Sequence, residues 1–124
     1  MPTAFERWLL ETFTREGPFT LFLVLFEEAP HTIVPIASSY LHVMGTKLSW
    51  DELATLLGGS GMDWHSVAVF AAKDASGGPL PDAAARQRLA SLQQAVIRDR
   101  LTVHKGELFD RQGRRLDLQE LPPQ

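Results

Sequence analysis

Few residues in this chain have the type and spacing to do chemistry, and they are scattered. Glu28-x-x-His31 has the spacing of a carboxylate–imidazole metal pair. On a helix the two would share a face and could ligate one ion. Pro30 lies between them and opposes a helix, and no second Glu-x-x-His completes a site, so a polar loop without metal is the expectation. Gly58-Gly59-Ser60-Gly61-Met62 approaches a Gly-x-Ser-x-Gly nucleophile elbow, but its last position is Met62 and it follows a helical pattern. The elbow works by exposing a serine on a strained strand-to-helix turn; here a helix end with a flexible turn is expected instead. His42, His65 and His104 complete the four histidines. A general base needs an orienting acid and a nearby proton to take. Asp63 stands two residues from His65, and Ser38 and Ser39 could approach a histidine in space, yet no spacing requires it. Phosphate-binding and dinucleotide-binding glycine motifs are missing. The absence of cysteine removes disulfides, thiolate metal sites and a cysteine nucleophile. No catalytic residue and no cofactor are assigned.

The second chemical feature is charge. The net charge of −3 is unevenly spread: residues 1–81 carry four Lys/Arg against nine Asp/Glu, and residues 82–124 carry eight against six. Arg98, Arg100, Lys105, Arg111, Arg114 and Arg115 are therefore candidates for binding an anionic partner if the fold gathers them. Asp99, Glu107, Asp110 and Asp117 are interleaved with them and can cancel the patch. Nucleic-acid affinity comes mainly from neutralised phosphates, so an overall acidic chain disfavours that partner.

Leu48 to Gly58 resembles the first helix of a helix-turn-helix, with Ala54 as the small packing residue, Gly58 at the turn, Ser60 as the turn serine and Val67 as a buried position of the second helix. The resemblance covers about 20 residues and implies a DNA-binding regulator using residues 49–73. It departs where reading would occur: Gly59 replaces an apolar turn residue, and Asp63 to Lys73 offers one lysine, no arginine and mostly apolar side chains. A reading helix needs donors for phosphates and base edges.

The elements that must position these residues are clearer. Thr3 and Glu6 form a capping box, Phe5, Trp8, Leu9 and Phe13 fall on one stripe, and Gly17-Pro18 stops the helix, which is predicted over Thr3 to Glu16. Phe19 to Phe26 is apolar at almost every position and reads as a strand buried on both faces, or on one face with a partner over the other. Glu27 to Pro35 reads as turn, with Thr32 to Ile36 as a short edge strand. Ile36, Tyr40 and Met44 at four-residue spacing then predict a helix closed by Gly45. Ser49 and Glu52 form a second capping box for a helix ending at Gly58. Trp64 to Ala72 is predicted as strand on Val67, Val69 and Phe70. Asp82 is expected to cap a helix running to about Asp99, with Ala85, Leu89, Leu92 and Val96 buried. Leu101 to His104, Glu107 to Phe109 and Arg114 to Leu118 are expected as a three-stranded meander, with Asp110 and Gly113 at the ends of a type I turn.

These elements predict one α+β domain over residues 1–120 with a frayed tail at residues 121–124. It would be a two-layer sandwich whose mostly antiparallel sheet carries the N-terminal helix and the long C-terminal-half helix on one face. The longest apolar run is too short to span a bilayer and the N-terminus lacks a basic n-region, so a cytoplasmic protein that avoids membranes is expected. The leading functional expectation is a non-catalytic protein-interaction or regulatory domain, its partner another protein or a second copy of itself as a homodimer. The alternatives are a nucleic-acid-binding regulator and a small-molecule enzyme built on His, Asp and Glu.

Overall fold

The computed structural model describes residues 2–29, 32–58, 63–99, 102 and 105–116. Its elements, in chain order, are α1 (Ala4–Glu16), β1 (Phe19–Ala29), β2 (Thr32–Val43), α2 (Trp50–Gly58), β3 (Ser66–Ala72), α3 (Asp82–Arg98) and β4 (Glu107–Asp110). The class is α+β. The four strands form one antiparallel sheet in the order β2-β1-β3-β4. Among the described residues no helix is long and apolar enough to cross a membrane.

Helix α1 begins as its capping box predicts: the Thr3 hydroxyl accepts from the Glu6 amide at 3.1 Å, and a Glu6 carboxylate oxygen accepts from the Thr3 amide at 2.8 Å. Gly17 ends it with φ 73°, a conformation that costs glycine little, while its N–H reaches the Phe13 carbonyl. Pro18 then releases the chain into β1.

Strand β1 explains the architecture. Its residues alternate between two cores, with Phe19, Leu21, Leu23 and Leu25 on one face and Phe22, Val24 and Phe26 on the other. All seven are buried. Because both faces are apolar, both must be covered. Phe5 and Leu9 of α1 and Trp50, Leu53 and Leu57 of α2 cover the first face, together with Val67, Val69 and Phe109. Ala85 and Val96 of α3, with Leu89 and Leu92, cover the second over Ala68, Phe70 and Leu108. Thus α1 and α3 lie on opposite faces of the sheet in three layers, where a shared face was expected. On the first face, aromatic rings lock the helices to the sheet: Phe5 stands 5.2 Å from Trp50 and 5.6 Å, edge-on, from Phe109.

Other expectations are corrected in the middle and at the end of the chain. Of residues 36–44, expected as helix from their four-residue spacing, 36–43 belong to β2, which pairs with β1, and Met44 follows the strand. The register slips between Leu25 and Phe26, whose partners are Ala37 and Pro35, leaving Ile36 as an extra residue. Pro35 cannot donate to a ladder, so it is tolerated because β2 is an edge strand with a bulge at that point. Asp82 is the first residue of α3 and not its cap. Pro81 occupies the cap without a side-chain hydrogen bond. Among the described residues, the expected three-stranded meander is represented by β4 and an isolated bridge from Phe109 to Arg115. Thr102 forms a turn, its N–H bonded to the Asp99 carbonyl. Leu101, Val103, His104 and the predicted tail lie outside the described residues. The turn after β4 is as predicted, with the Gly113 N–H donating to the Asp110 carbonyl at 3.1 Å.

Candidate functional site

The sheet has two edges, and they differ in chemistry. Strand β4 is four residues long and is flanked by charge. Asp110 accepts from the Arg114 guanidinium at 2.8 Å, Glu107 lies 3.3 Å from Arg115, and Arg111 lies 3.4 Å from Asp63. Arg111 also covers the Trp64 ring at 5.4 Å, and Arg115 covers Phe109 at 5.9 Å. Three of the six basic candidates are therefore gathered near this edge, each with a carboxylate beside it. Arg98 is exposed at the end of α3, Lys105 is exposed before β4, and Arg100 lies outside the described residues.

Strand β2, at the other edge, spans 12 residues, about 40 Å of extended chain. Among the described residues no strand pairs with its outer side. From Ala29 to Thr46 the sequence contains no Asp, Glu, Lys or Arg. Between β2 and α2 lies a pocket of about 350 Å³, walled by Leu53, Leu56 and Leu57 of α2 and by Ala37, Ser39 and Leu41 of β2. Leu56 is 66% exposed at its rim, although it sits on a helix whose Trp50, Leu53 and Leu57 are buried. A shallower cleft of about 750 Å³ opens at the end of β2, between Phe13, Val43, Met44, Lys47 and Glu52.

His42, near the end of β2, has a hydroxyl and a carboxylate on its ring. Its Nδ1 is 3.0 Å from the Thr20 hydroxyl, and its Nε2 is 2.9 Å from Asp82, which the Tyr40 hydroxyl also reaches at 3.4 Å. A carboxylate only accepts, so Nε2 carries a proton. In the neutral ring Nδ1 then accepts from Thr20, and in the charged ring it donates to it. This has the connectivity of a nucleophile–base–acid chain, but Thr20 is fully buried and already accepts the Leu80 amide at 2.8 Å. No reacting carbonyl can reach that oxygen. The arrangement is a clasp joining β1, β2, the loop at Leu80 and α3. The His42 hydrogen bond, followed by the charge of His42, the Tyr40 hydroxyl and Arg86, holds the Asp82 carboxyl below its ordinary range.

A second tie fixes α2 over the β2 side. The free oxygen of Glu6 accepts from the Trp50 amide at 2.8 Å, so one carboxylate serves the starts of both α1 and α2. The Thr3 and Trp50 amides lower its pKa, in that order.

The remaining sequence candidates are dispersed. Glu28 lies in β1 and not on a helix, and His31 lies outside the described residues. Gly58 ends α2, and Gly59 to Met62 lie outside the described residues. The helix-turn-helix reading of residues 49–73 is overturned. Its first helix is α2, but Ser66–Ala72 is a central strand whose Val67 and Val69 are fully buried. Ser38 and Ser39 alternate to opposite faces of β2, and the Asp63 carboxylate meets Arg111. Sequence reasoning missed Thr20, Tyr40 and Asp82 as partners of His42. Thr20 and His42 face each other in the β1–β2 register, a signal visible only once β2 is known to be a strand. Comparison of the chain with protein-family models, curated proteins and solved structures finds no match.

Proposed function

We propose that this chain is a non-catalytic protein-interaction domain that receives an extended segment of a protein partner as an added strand beside β2. One observation carries the reading: a 12-residue edge strand without Asp, Glu, Lys or Arg, bordered by an exposed leucine and an apolar pocket. Soluble proteins usually blunt such an edge with lysine, brevity or cover, because its outward N–H and C=O groups template another strand. In strand addition the main-chain bonds supply affinity, and alternate side chains filling pockets supply specificity. The burial of Thr20 argues against catalysis at His42. The carboxylates beside Arg111, Arg114 and Arg115 argue against a phosphate-binding face.

The test is amide hydrogen exchange of the chain with a panel of uncharged, β-prone peptides as probes. The expected result is protection of alternate β2 amides by the peptides that bind, lost in Ser39→Lys and weakened in Leu56→Asp. Peptides that bind wild type and both variants equally, without protecting β2, overturn the reading.

A further inference from the structure

We infer that the segment added to β2 is the β2 strand of a second copy of this chain, paired antiparallel about a two-fold axis, so that two four-stranded sheets become one of eight strands. This deepens the interaction reading above and rests on it.

The first argument is electrostatic. In a two-fold antiparallel pair each residue faces the one equally far on the other side of the axis, so a charge at the axis faces its own copy and charges beside it lie close to theirs. Like charges facing each other across a ladder are destabilising. An edge that pairs with a different protein is free to carry charge and match it. An edge that pairs with itself is best left without fixed charge around its axis, and no Asp, Glu, Lys or Arg stands between Ala29 and Thr46, around the middle of β2, in a chain that is 22% charged.

The second argument is shape. A perpendicular two-fold keeps opposite residues on the same face of the sheet, and an axis through Ser39 sets Ser39 against its own copy. On the α2 face, Ala37 then stands opposite the partner copy's Leu41. On the α3 face, Ser38 stands opposite the partner copy's Tyr40. Leu41 shares its face with Ala37, and Tyr40 with Ser38, by the register to Leu21, Leu25, Phe22 and Val24. Each small residue thus meets a large one, and no two bulky side chains compete at the centre. The exposed Leu56 and the pocket beside Ala37, Ser39 and Leu41 lie on one patch, as an isologous contact requires of a knob and its hole. The patch offers the 12 strand residues and the exposed side of α2, fewer than the 20–30 residues a side of a standard interface. The dimer is therefore expected to be weak, with Kd on the order of micromolar.

The chain has no cysteine, which makes the experiment clean. Sedimentation equilibrium of the full chain across a concentration series is expected to show a monomer–dimer equilibrium. Ser39→Lys, which sets two ammonium groups face to face, is expected to weaken it by at least about tenfold. Ser39→Cys is expected to form a disulfide dimer on mild oxidation, while Gln87→Cys on the exposed side of α3 is not. Circular dichroism is expected to show each variant folded, since Ser39 and Gln87 are both exposed. A dimer unchanged by Ser39→Lys, or equal cross-linking at positions 39 and 87, overturns the self-pairing. A chain that stays monomeric, yet whose β2 amides are protected by an unrelated uncharged peptide, also overturns it and leaves the interaction reading standing. A monomer protected by no peptide overturns both.

Discussion

Strands β2 and β4 close the same sheet on opposite sides and solve the problem of an unpaired edge in opposite ways. β4 is short, is bridged by Arg115 on its outer side, and lies among Glu107, Asp110, Arg114 and Arg115, whose charges pair. Strand β2 is three times as long, lacks Asp, Glu, Lys and Arg, and has only a bulge at Pro35 to interrupt it. Strand β4 is protected by brevity, charge and a covering bridge, whereas β2 has neither brevity nor fixed charge and carries only Pro35 and its bulge. Two edges of one sheet share a folding problem, and their difference is the ground for the proposal that β2 continues the sheet where β4 ends it.

The largest expected effect lies at the closed edge. Phe109 is fully buried and packs edge-on or tilted against Phe5, Trp8 and Trp50. Phe109→Ala is expected to lose about 3–5 kcal/mol of stability in denaturant unfolding, through lost transfer energy and the cavity left behind. A loss below about 1 kcal/mol would mean that β4 is not the anchored edge. Next comes the turn behind it. Gly113 has φ 78°, and a methyl group there would sit 2.8 Å from the Trp50 indole. Gly113→Ala is expected to cost about 1–3 kcal/mol, with a changed tryptophan signal in near-ultraviolet circular dichroism. Neither variant should alter association through β2.

Glu6→Ala tests the side facing β2, because Glu6 ties the start of α2 to the start of α1. Two amides lose their acceptor, and a loss of about 1–2 kcal/mol is expected, as for a removed helix cap. The pH dependence has a definite sign. The Glu6 carboxyl is held below its ordinary value, so its contribution is complete above the ordinary carboxylate range and is lost as pH falls through the lowered pKa. Wild type and Glu6→Ala should therefore converge in stability in acid. Curves that remain parallel would remove Glu6 as the tie.

The contrast between the edges also separates what was legible in the sequence from what was not. Local signals carried the helices: Thr3 and Glu6 start α1, Gly17 and Pro18 end it, and Ser49 opens α2 by accepting the Glu52 amide. The apolar runs carried β1 and β3. β2 was misread because Ile36, Tyr40 and Met44 fall at helical spacing by coincidence, while its true partner, β1, is a long-range contact that no local pattern encodes. The lack of fixed charge in residues 29–46 was in plain view, but it means little until β2 is known to be an edge. The same holds for the clasp. Thr20 and His42 are opposed only through the strand register, and Asp82 arrives from 40 residues further on.

That clasp supplies the smallest expected effect and the finest probe of the open edge. Asp82 fastens α3 to β2 through His42 and Tyr40, near the end of the strand where the chain turns away. Asp82→Asn keeps an oxygen that can accept from His42 but removes the charge. Since the Asp82 carboxyl is held below its ordinary range chiefly by the His42 hydrogen bond, its stabilising contribution is present above that range and disappears as pH falls through the lowered pKa. The difference between wild type and Asp82→Asn should therefore be present above the ordinary carboxylate range and vanish in acid, and it should be smaller than that of Glu6→Ala because the carboxylate is exposed. Hydrogen exchange adds the spatial test: amides around Tyr40 to Val43 should exchange faster in the variant, while those of β4 stay unchanged. Faster exchange at both edges would mean that the charge stabilises the fold as a whole, and the clasp would then have no particular bearing on β2.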